Sequence, residues 1–474
     1  MSPAGRRDLV IIGGGAAGLV VASVAAQLGL AVTLIERGER LGGDCLHTGC
    51  VPSKSLLHAA RVAYTVRHAA GAGLEAALSP VDLGRVMDRV HAVIDRIQEH
   101  DDPERFRSYG CEVLLGEAAR FVSPHEVEVG GRRIRGRRFV IATGSRPVVP
   151  PVPGLEAAAP LTNENVFALR ELPRRLVVLG AGPVGLELGQ AFARLGSRVT
   201  VIERLEGLLP QGEPALAAAL RQRLEAEGMV FLTGTTVESV TPGADGQVVL
   251  CSDGRTIEAD RILVAAGRRP DVAGLGLDAA GVAAGPHGIR VDRRLRTTQR
   301  HIYACGDVCG PYAFTHMAEY QAGIVIGNAV FRLPRRADYR VVPQVIYTDP
   351  EYAQVGLTEH QARARGLDPV VLEFSFSGID RALTDDESWG GMRLITRRGH
   401  ILGASLLGPR AGELIHEVAL AMKAGATVGD LSATIHAYPT LAQIHRRTAN
   451  TFYAGKLFSP ATRRLVKWLN RLLP

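Results

Sequence analysis

Uncharged residues fill the stretch from Leu9 to Thr33, and glycines divide it into segments of different character. The run LVII has the length of a buried strand, the cluster GGGAAG interrupts it, and LVVASVAAQLGL has the length of a helix. A membrane-spanning helix needs about 20 apolar residues without such a break. We therefore predict a buried β-α unit of a parallel sheet, continued by the strand AVTLIE, and no targeting segment.

The same order of apolar strand, glycine cluster and helix returns in RRLVVLGAGPVGLELGQAFARLGSRVTVIERLE, which begins at Arg174. Two further glycine turns, ATGSRP at 142–147 and AAGRRPD at 265–271, each follow a strand-like run. These turns predict the matched ends of two sheets. From about residue 341 the chain keeps strands and helices but has no glycine fingerprint.

Composition is typical of a globular protein with several domains. The chain has 474 residues, of which 46% are hydrophobic and 22% charged. The net charge of +7 comes without a lysine-rich run or an aromatic-basic ladder, so we expect a dispersed arginine-rich surface and no nucleic acid partner. Six cysteines do not suit a disulfide framework and favour reduced thiols in a cytoplasmic compartment.

The first glycine cluster has the form G-x-G-x-x-G between a strand and a helix, followed by an acid about 20 residues on. Gly13 permits the tight turn, Gly15 lets the backbone approach a pyrophosphate, and Gly18 brings the helix against the sheet. The unpaired N–H groups of the helix N-terminus suit the phosphates. Glu36 ends the next strand and suits the ribose hydroxyls. The pattern predicts a dinucleotide site.

The second cluster repeats this pattern with Gly180, Gly182 and Gly185, and Glu203 ends its second strand. Two such folds predict two dinucleotides, one held as the redox cofactor and one exchanged. Glu203 repels a 2′-phosphate and accepts a hydrogen bond from a free hydroxyl, which favours NAD over NADP. Arg204 beside it works against that preference, because arginine binds phosphate.

Cys45 and Cys50 lie five positions apart in GGDCLHTGCVPSKSLL. In a regular helix such positions lie on different faces, so a bridge between them needs a distorted turn. A bond closing so small a loop is strained and easily reduced, which suits thiol exchange better than a structural role. No second C-x2-C or H-x3-H pair is evident, so we predict no metal site. Two inert buried thiols remain the alternative.

These motifs, in their order along the chain, resemble those of the class I pyridine nucleotide–disulfide oxidoreductases. The resemblance covers nearly the whole chain and implies an α/β fold with two Rossmann-like dinucleotide-binding domains and a C-terminal α+β dimerisation domain. The motifs are G-x-G-x-x-G at 13–18, G-G-x-C-x4-C-x-P-S-K at 42–54, ATG at 142–144, a second G-x-G-x-x-G at 180–185, GRRP at 267–270, GD at 306–307 and YPT at 438–440.

The resemblance implies a domain order and two sets of cofactor residues. The expected domains are an FAD-binding domain in two parts, 1–150 and 273–340, an NAD(P)H-binding domain at 151–272 and a dimerisation domain at 341–474. The expected FAD residues are Gly13, Gly15, Ala17, Gly18, Glu36, Gly43, Lys54, Thr143, Gly144, Asp307, Met317 and Ala318. The expected NAD(P)H residues are Gly180, Gly182, Gly185, Glu203 and Gly267.

The resemblance also implies an electron route. Cys50 faces the flavin and forms a charge-transfer contact when reduced, and Cys45 attacks the outgoing substrate. Lys54, one helical turn after Cys50, is expected to form an ion pair with Glu187 near flavin N5, where charge assists hydride arrival. Electrons pass from nicotinamide to FAD, to the Cys45–Cys50 disulfide and on to an acceptor, and the reverse direction is equally allowed.

One part of the family pattern is missing. Members that exchange dithiols with disulfides carry a histidine before Pro-Thr and a glutamate a few residues on, as the acid/base pair. This chain has Tyr438 and Gln443 at those positions. Tyrosine is a poor base near neutral pH, with an ordinary pKa of about 10. Replacement of the missing base by His436 or His445 is the alternative.

A tyrosine near the thiols resembles the mercuric reductase branch, as does DRALTDDESWGGMRLI from Asp380. A soft metal ion suits thiolates and needs no proton from a histidine. No cysteine follows Cys309, whereas the mercury enzymes carry a further C-terminal pair, and we expect no added N-terminal metal-capturing domain. We therefore expect a mercuric-reductase-like enzyme that reduces a soft metal ion, a disulfide or a quinone. The alternatives are a dihydrolipoamide dehydrogenase with altered acid/base residues and a flavin-binding redox sensor without turnover.

The last segment predicts a basic amphipathic helix. Its apolar residues fall on one face and its basic residues elsewhere, a pattern typical of helices that lie on membranes. Packing on its own domain or in the dimer is the alternative. The apolar residues are Leu465, Trp468, Leu469, Leu472 and Leu473, and the basic residues are Arg463, Arg464, Lys467 and Arg471.

Overall fold

The computed structural model describes residues 5–244 and 246–472; the predicted contribution of Leu473 to the terminal helix lies outside these ranges. The helices are α1 Ala16–Gln27, α2 Gly43–His47, α3 Cys50–Arg67, α4 Leu83–Gln98, α5 Pro103–Ser108, α6 Pro183–Leu195, α7 Pro214–Ala226, α8 Leu277–Ala280, α9 Thr315–Val325, α10 Glu359–Ala364, α11 Asp380–Thr384, α12 Ala411–Ala424, α13 Val428–Ala433, α14 Gln443–Leu457 and α15 Pro460–Leu472.

The strands are β1 Arg6–Arg7, β2 Leu9–Ile12, β3 Val32–Ile35, β4 Cys111–Leu114, β5 Ala119–Ser123, β6 Glu126–Val129, β7 Arg132–Gly136, β8 Phe139–Ile141, β9 Ser145–Pro147, β10 Arg175–Leu179, β11 Arg198–Glu203, β12 Val230–Thr233, β13 Val237–Gly243, β14 Gly246–Cys251, β15 Thr256–Ala259, β16 Arg261–Val264, β17 Arg268–Pro270, β18 Ala284–Gly285, β19 Gly288–Ile289, β20 Ile302–Ala304, β21 Gln344–Ile346, β22 Glu351–Gly356, β23 Val370–Ser375, β24 Gly391–Arg397 and β25 His400–Gly408.

The chain forms two compact units. The first contains the described part of Met1–Gly180 together with Arg194–Val199 and Val237–Asp338. The second contains Ala181–Ala193, Thr200–Thr236 and the described part of Tyr339–Pro474. The finer division into four domain segments stays a prediction.

A five-stranded parallel sheet, in the order β20-β8-β2-β3-β4, organises the first unit. The strand β2 is apolar at every position because both faces of the sheet are covered. Leu9 and Ile11 pack in a core with α1 and α9. Val10 and Ile12 pack on the other side against the four-stranded sheet β1-β7-β6-β5. The residues from Leu9 to Ile35 thus form a buried β-α-β unit, as predicted.

Shorter sheets complete the first unit. The glycine turns predicted as matched sheet ends do meet, because β9 of ATGSRP pairs antiparallel with β17 of AAGRRPD. The strands β10 and β16 pair in parallel, and β13, β14 and β15 form an antiparallel sheet. Since β9 follows β8 and β17 follows β16, the pairing of β9 with β17 brings the carboxyl ends of β8 and β16 close together.

The second unit is built on an antiparallel sheet in the order β21-β22-β25-β24-β23. Its core is formed with α12 and α14, which supply residues such as Ile415, Val418 and Ile444. The strands β11 and β12 pair in parallel within the same unit. The segment after residue 341 is therefore α+β, as the sequence predicted.

Among the described residues, no helix combines the length and the apolarity that crossing a bilayer requires.

Candidate functional site

Four sequence motifs meet at one edge of the parallel sheet. Gly13 follows β2, Glu36 follows β3, Thr143 follows β8 and Asp307 follows β20. The neighbours of β2 continue the sheet in opposite directions, so this edge is a topological switch point. Ligands of open α/β sheets bind outside the carboxyl ends of the strands at such points. The structure thus brings together predicted flavin residues that lie almost 300 positions apart in the chain.

The first glycine loop leaves no space for side chains. Gly13 has a φ of +110°, and a Cβ there would lie 2.3 Å from the carbonyl oxygen of Ala142. A Cβ at Gly18 would lie 1.9 Å from the carbonyl oxygen of Gly13, so the start of α1 presses directly on the loop. Gly15 and Gly43 are in similar contact, since a Cβ on Gly43 would lie 2.7 Å from the Cα of Gly15. The site is a cradle of bare backbone that fits a pyrophosphate.

Glu36 is held in place by backbone amides. Its two carboxylate oxygens accept hydrogen bonds from the N–H groups of Gly14, at 2.7 Å, and Gly38, at 2.8 Å. Each oxygen has a further lone pair, so the carboxylate can still accept from ribose hydroxyls. The amides therefore orient the carboxylate without using up its acceptor capacity.

The second fingerprint repeats this arrangement. Glu203 accepts from the N–H groups of Ala181, at 2.8 Å, and Leu205, at 2.9 Å, which are the same relative positions as around Glu36. A Cβ at Gly180 would lie 2.5 Å from the carbonyl oxygen of Ala265. Gly182 precedes α6 and Gly185 lies in it, and Gly267 precedes β17 with a φ of +117°. The geometry around both acids supports the interpretation of a repeated nucleotide-binding motif.

The two predicted redox cysteines are brought together by a break between helices. Cys45 lies in α2, and α3 begins at Cys50. The turn between them is tight, because a Cβ at Gly49 would lie 2.9 Å from the carbonyl oxygen of Asp44. Both sulfurs interact with the hydroxyl of Thr315, which is 3.5 Å from the Sγ of Cys50. The distorted turn that the spacing required is therefore present.

The two thiols are not equivalent. A hydrogen bond with Cys50 and burial raise the pKa of the Cys45 thiol well above its ordinary value, and the negative charge of Cys50 acts in the same direction. Cys50 is the first residue of α3, and the N-terminus of a helix favours negative charge. The Cys45 thiol therefore holds its proton more tightly than an ordinary thiol does. Both are free thiols in this structure.

A chain of polar contacts joins the thiol loop to the predicted flavin acid. Asp307 accepts a 2.6 Å hydrogen bond from the hydroxyl of Ser145. The Nε of Arg268 donates to that hydroxyl at 2.8 Å, and another guanidinium nitrogen lies 2.9 Å from a carboxylate oxygen of Asp44. Burial raises the pKa of Asp307, while the hydrogen bond from Ser145 opposes the shift. The neighbour of Cys45 is thus linked to the cofactor acid through two side chains.

Two further predicted flavin residues, Ala17 and Ala318, lie beside Gly306. A Cβ there would lie 3.5 Å from the Cβ of Ala318 and 3.8 Å from that of Ala17. Met317 and Ala318 are buried in the first turn of α9. The backbone N–H of Gly306 donates to the side chain of Gln321 at 2.7 Å, which fixes the turn before Asp307.

The predicted ion pair of Lys54 and Glu187 stays a prediction. Lys54 lies in α3 of the first unit, and Glu187 lies in α6 of the second. A carboxylate oxygen of Glu187 accepts from the backbone N–H of Tyr347 at 2.9 Å, and the side chain is buried.

Tyr438 is held at the surface of the second unit. Its side chain is 69% exposed, and its hydroxyl donates to a carboxylate oxygen of Asp380 at 3.0 Å. That hydrogen bond raises the pKa of Tyr438 further above its ordinary value of 10.0. The tyrosine is therefore protonated at neutral pH and cannot serve as a general base there.

The two histidines are engaged elsewhere. His436 Nε2 lies 2.9 Å from one carboxylate oxygen of Glu417, and His445 Nδ1 lies 3.0 Å from the other. Burial alone would raise the pKa of Glu417, but the hydrogen bonds from His445 and His436 lower it below its ordinary value. His445 is fully buried. Each histidine is thus paired with a glutamate carboxylate, and replacement of the missing base by either of them stays a prediction.

Sequence reasoning missed several residues that form these contacts. Thr315 opens the segment THMAEYQAG, but nothing local indicates that its hydroxyl meets two thiols 265 and 270 positions away. Arg268 and Ser145 lie in the two glycine turns, and the pairing of those turns was the available signal. Nothing in the sequence around Asp380 or Glu417 indicates which side chains these acids contact.

Comparison with known proteins agrees with this geometry. The family model for pyridine nucleotide-disulphide oxidoreductases matches residues 7–322, and the model for the dimerisation domain of that family matches residues 342–448. The chain belongs to this family. It is an FAD-dependent oxidoreductase that uses NAD(P)H, and the predicted family and fold class are confirmed.

The relatives belong to two branches of the family. Mercuric reductase of Bacillus cereus is 37% identical over 451 residues, which cover 94% of this chain and 71% of the relative. Dihydrolipoyl dehydrogenase of Thermus scotoductus is 40% identical over 447 residues, which cover 92% and 95%. A solved Cu(II) complex of the HOCl-induced flavoprotein disulfide reductase RclA from Escherichia coli matches 93% of this chain and 99% of its own, with a TM-score of 0.85 and 30% identity.

The contact between α1 and the first glycine loop yields a prediction. Gly18→Ala forces a Cβ against the carbonyl oxygen of Gly13, so we expect a loss of bound FAD and a destabilisation of about 1–3 kcal/mol. The matched control is Gly323→Ala, which is exposed in α9 with no atom within 4 Å of the added Cβ. Flavin absorbance per protein and thermal unfolding measure both effects. Normal flavin content in Gly18→Ala would contradict the close contact.

Proposed function

We propose that this enzyme uses Cys45 and Cys50 to reduce a small acceptor, with a soft metal ion as the preferred class. The observation that carries the proposal is the cluster of two thiols and the Thr315 hydroxyl. Such a cluster offers soft sulfur ligands, which select metals such as Hg(II) and Cu(I).

The cofactor residues divide between the two fingerprints. Gly13, Gly15, Gly18, Glu36 and Asp307 would hold FAD, because they form the bare backbone cradle and the acids beside it. When bound, FAD supplies two-electron transfer between a nicotinamide and a thiol pair.

The thiol pair itself carries a balanced redox step. Closing the Cys45–Cys50 disulfide releases two electrons and two protons, which suffice for one Hg(II) to become Hg(0) or two Cu(II) to become two Cu(I). The raised pKa of Cys45 keeps a proton on that sulfur until an acceptor binds. A bound metal ion displaces that proton directly, because metal binding to thiols releases protons.

A disulfide substrate, unlike a metal ion, does not displace the thiol proton by binding. It must be attacked by a thiolate, and the raised pKa of Cys45 leaves little thiolate at neutral pH. Tyr438 cannot remove the proton, since it is itself protonated. The thiol chemistry therefore favours a metal acceptor over lipoamide or glutathione. Two relatives, a mercuric reductase and RclA in its Cu(II) complex, point in the same direction.

The second candidate is a dihydrolipoamide dehydrogenase. The relative from Thermus scotoductus favours it, at 40% identity over nearly all of this chain. A flavin-binding sensor without turnover is disfavoured, because a mere binder requires neither the thiol pair nor a second nucleotide site. A quinone acceptor stays open.

Three further features belong to the proposal. The match to the dimerisation domain, at residues 342–448, supports a homodimer in which this part of one subunit completes the site of the other. The six free thiols support a reducing, cytoplasmic compartment. The carboxylate of Glu203, held by two amides, supports NADH as the preferred donor.

The principal test is a panel of acceptors with NADH: Hg(II), Cu(II), lipoamide, oxidised glutathione and quinones. We expect the metal ions to be reduced fastest, and Cys50→Ser to lower that rate about 100-fold or more while NADH still reduces the bound flavin. Cys251→Ala, a buried thiol in a separate sheet, is the matched control. An acceptor that the Cys50→Ser variant reduces equally well bypasses the thiols and refutes their role for that acceptor.

A gain of function separates the two candidate enzymes. The double variant Tyr438→His, Gln443→Glu restores the family acid/base pair, so we expect NADH-dependent lipoamide turnover to rise about 100-fold. Metal reduction should change by about threefold or less, because it needs no proton from this pair. Rapid lipoamide turnover by the unmodified enzyme, unaffected by Tyr438→Phe, would instead establish the dihydrolipoamide dehydrogenase.

The nucleotide preference depends on one charge. Glu203→Gln removes the repulsion of a 2′-phosphate while keeping the shape of the side chain, so we expect the ratio of kcat/KM for NADPH over NADH to rise about tenfold. Glu206→Gln, three residues on and exposed, serves as the matched control. A wild-type enzyme that already prefers NADPH would show that Arg204 outweighs Glu203.

A further inference from the structure

The apolar stripe of the terminal helix α15 is uncovered. Leu465 is 53% exposed, Trp468 57% and Leu472 60%, and none of the helix residues described is buried. Packing of this helix on its own unit, the alternative left by the sequence, is therefore not observed in the part of the chain described. So much exposed apolar surface on one element marks an interaction site.

The two sides of α15 differ sharply in chemistry. At 100° per residue, Leu465, Leu469 and Leu472 lie within one arc, and Trp468 and Val466 lie at its two edges. The basic residues and the one asparagine occupy the opposite arc; these are Arg463, Arg464, Lys467, Asn470 and Arg471. The helix has 13 residues, about 20 Å in length, and cannot cross a hydrocarbon core of about 30 Å.

Hydrogen bonds fix the N-terminus of α15. The hydroxyl of Ser459 accepts from the backbone N–H of Thr462 at 3.1 Å, and its carbonyl oxygen accepts from the N–H of Arg463 at 3.0 Å. The Thr462 hydroxyl donates to the carbonyl oxygen of Lys456 at the end of α14, at 2.7 Å. Pro460 occupies the first helical position, where proline is favoured. A preformed helix loses less conformational entropy on binding than a disordered segment.

The charge of the segment identifies its partner. Between Leu431 and Leu472 the sequence contains no aspartate or glutamate and seven basic residues. These are Arg446, Arg447, Lys456, Arg463, Arg464, Lys467 and Arg471. A second copy of the same helix would bring like charges together, whereas a surface of anionic phosphates neutralises them.

We propose that α15 lies in the plane of an anionic bilayer, with its apolar arc in the headgroup boundary and its basic arc toward the lipid phosphates. Leu457 and Phe458, just before the helix, are also exposed apolar residues. An interfacial helix of this kind needs a large apolar face, a basic polar face and an aromatic residue near the boundary, and α15 has all three. The enzyme is then a peripheral membrane protein attached through its terminal helix.

Cosedimentation of the holoenzyme with vesicles tests this proposal. We expect binding to vesicles of phosphatidylcholine with phosphatidylglycerol, and little binding to phosphatidylcholine alone. Truncation after Ser459 and Leu469→Glu should each weaken binding about tenfold or more. The triple variant Arg463→Gln, Lys467→Gln, Arg471→Gln should weaken it about 100-fold. The matched control neutralises three exposed arginines elsewhere, Arg336→Gln, Arg365→Gln and Arg397→Gln, and should bind like the unmodified chain.

Tryptophan fluorescence tests whether α15 itself contacts the vesicles. The chain has two tryptophans, so Trp389→Phe leaves Trp468 as the sole reporter. Its emission should shift to shorter wavelength with anionic vesicles and stay unchanged with neutral ones. NADH-dependent reduction in solution should be the same with and without the helix, so this test stands apart from that of the proposed acceptor.

Two results would overturn the proposal. In the first, the full chain and the truncated chain sediment equally with anionic vesicles. In the second, the full chain does not bind these vesicles, and sedimentation velocity shows a dimer that becomes a monomer on truncation. The second result would make α15 a contact between subunits.

Discussion

The hydrogen bond between the thiols of Cys45 and Cys50 is the interaction on which the rest of this site depends. It exists because α2 ends at His47 and α3 begins at Cys50, with Gly49 in a turn that tolerates no side chain. The same contact, together with burial, raises the pKa of the Cys45 thiol. A raised thiol pKa separates an acceptor that displaces the proton by binding from one that requires a base to remove it.

Hydrogen bonds connect the loop that carries the thiol pair to the predicted cofactor site. Ser145 and Arg268 come from two glycine turns that pair as a ribbon, and they connect Asp307 with Asp44 beside the first cysteine. A buried acid of this kind is costly unless its partners are in place. A change at the flavin acid is therefore expected to reach the thiol loop through rigid, hydrogen-bonded side chains.

The C-terminal segment differs from the nucleotide-binding part in its chemistry. Tyr438 donates a hydrogen bond to the carboxylate of Asp380, and His436 and His445 both lie beside the carboxylate of Glu417. The hydrogen bond to Asp380 raises the pKa of Tyr438, which makes the tyrosine a poorer base. The terminal helix adds a surface that the reductase chemistry does not use.

The sequence by itself determined the elements whose causes are local. Glycine fingerprints, apolar strands and the acids that end them predicted the switch-point edge, and Glu36 and Glu203 have matching amide contacts because the motif repeats. Helical periodicity likewise predicted the amphipathic terminal helix. Tertiary structure decided that Thr315 meets the thiols, and that the apolar arc of α15 is exposed in the part of the chain described. Local patterns specify backbone geometry, but such contacts depend on how separate elements pack, which no short stretch encodes.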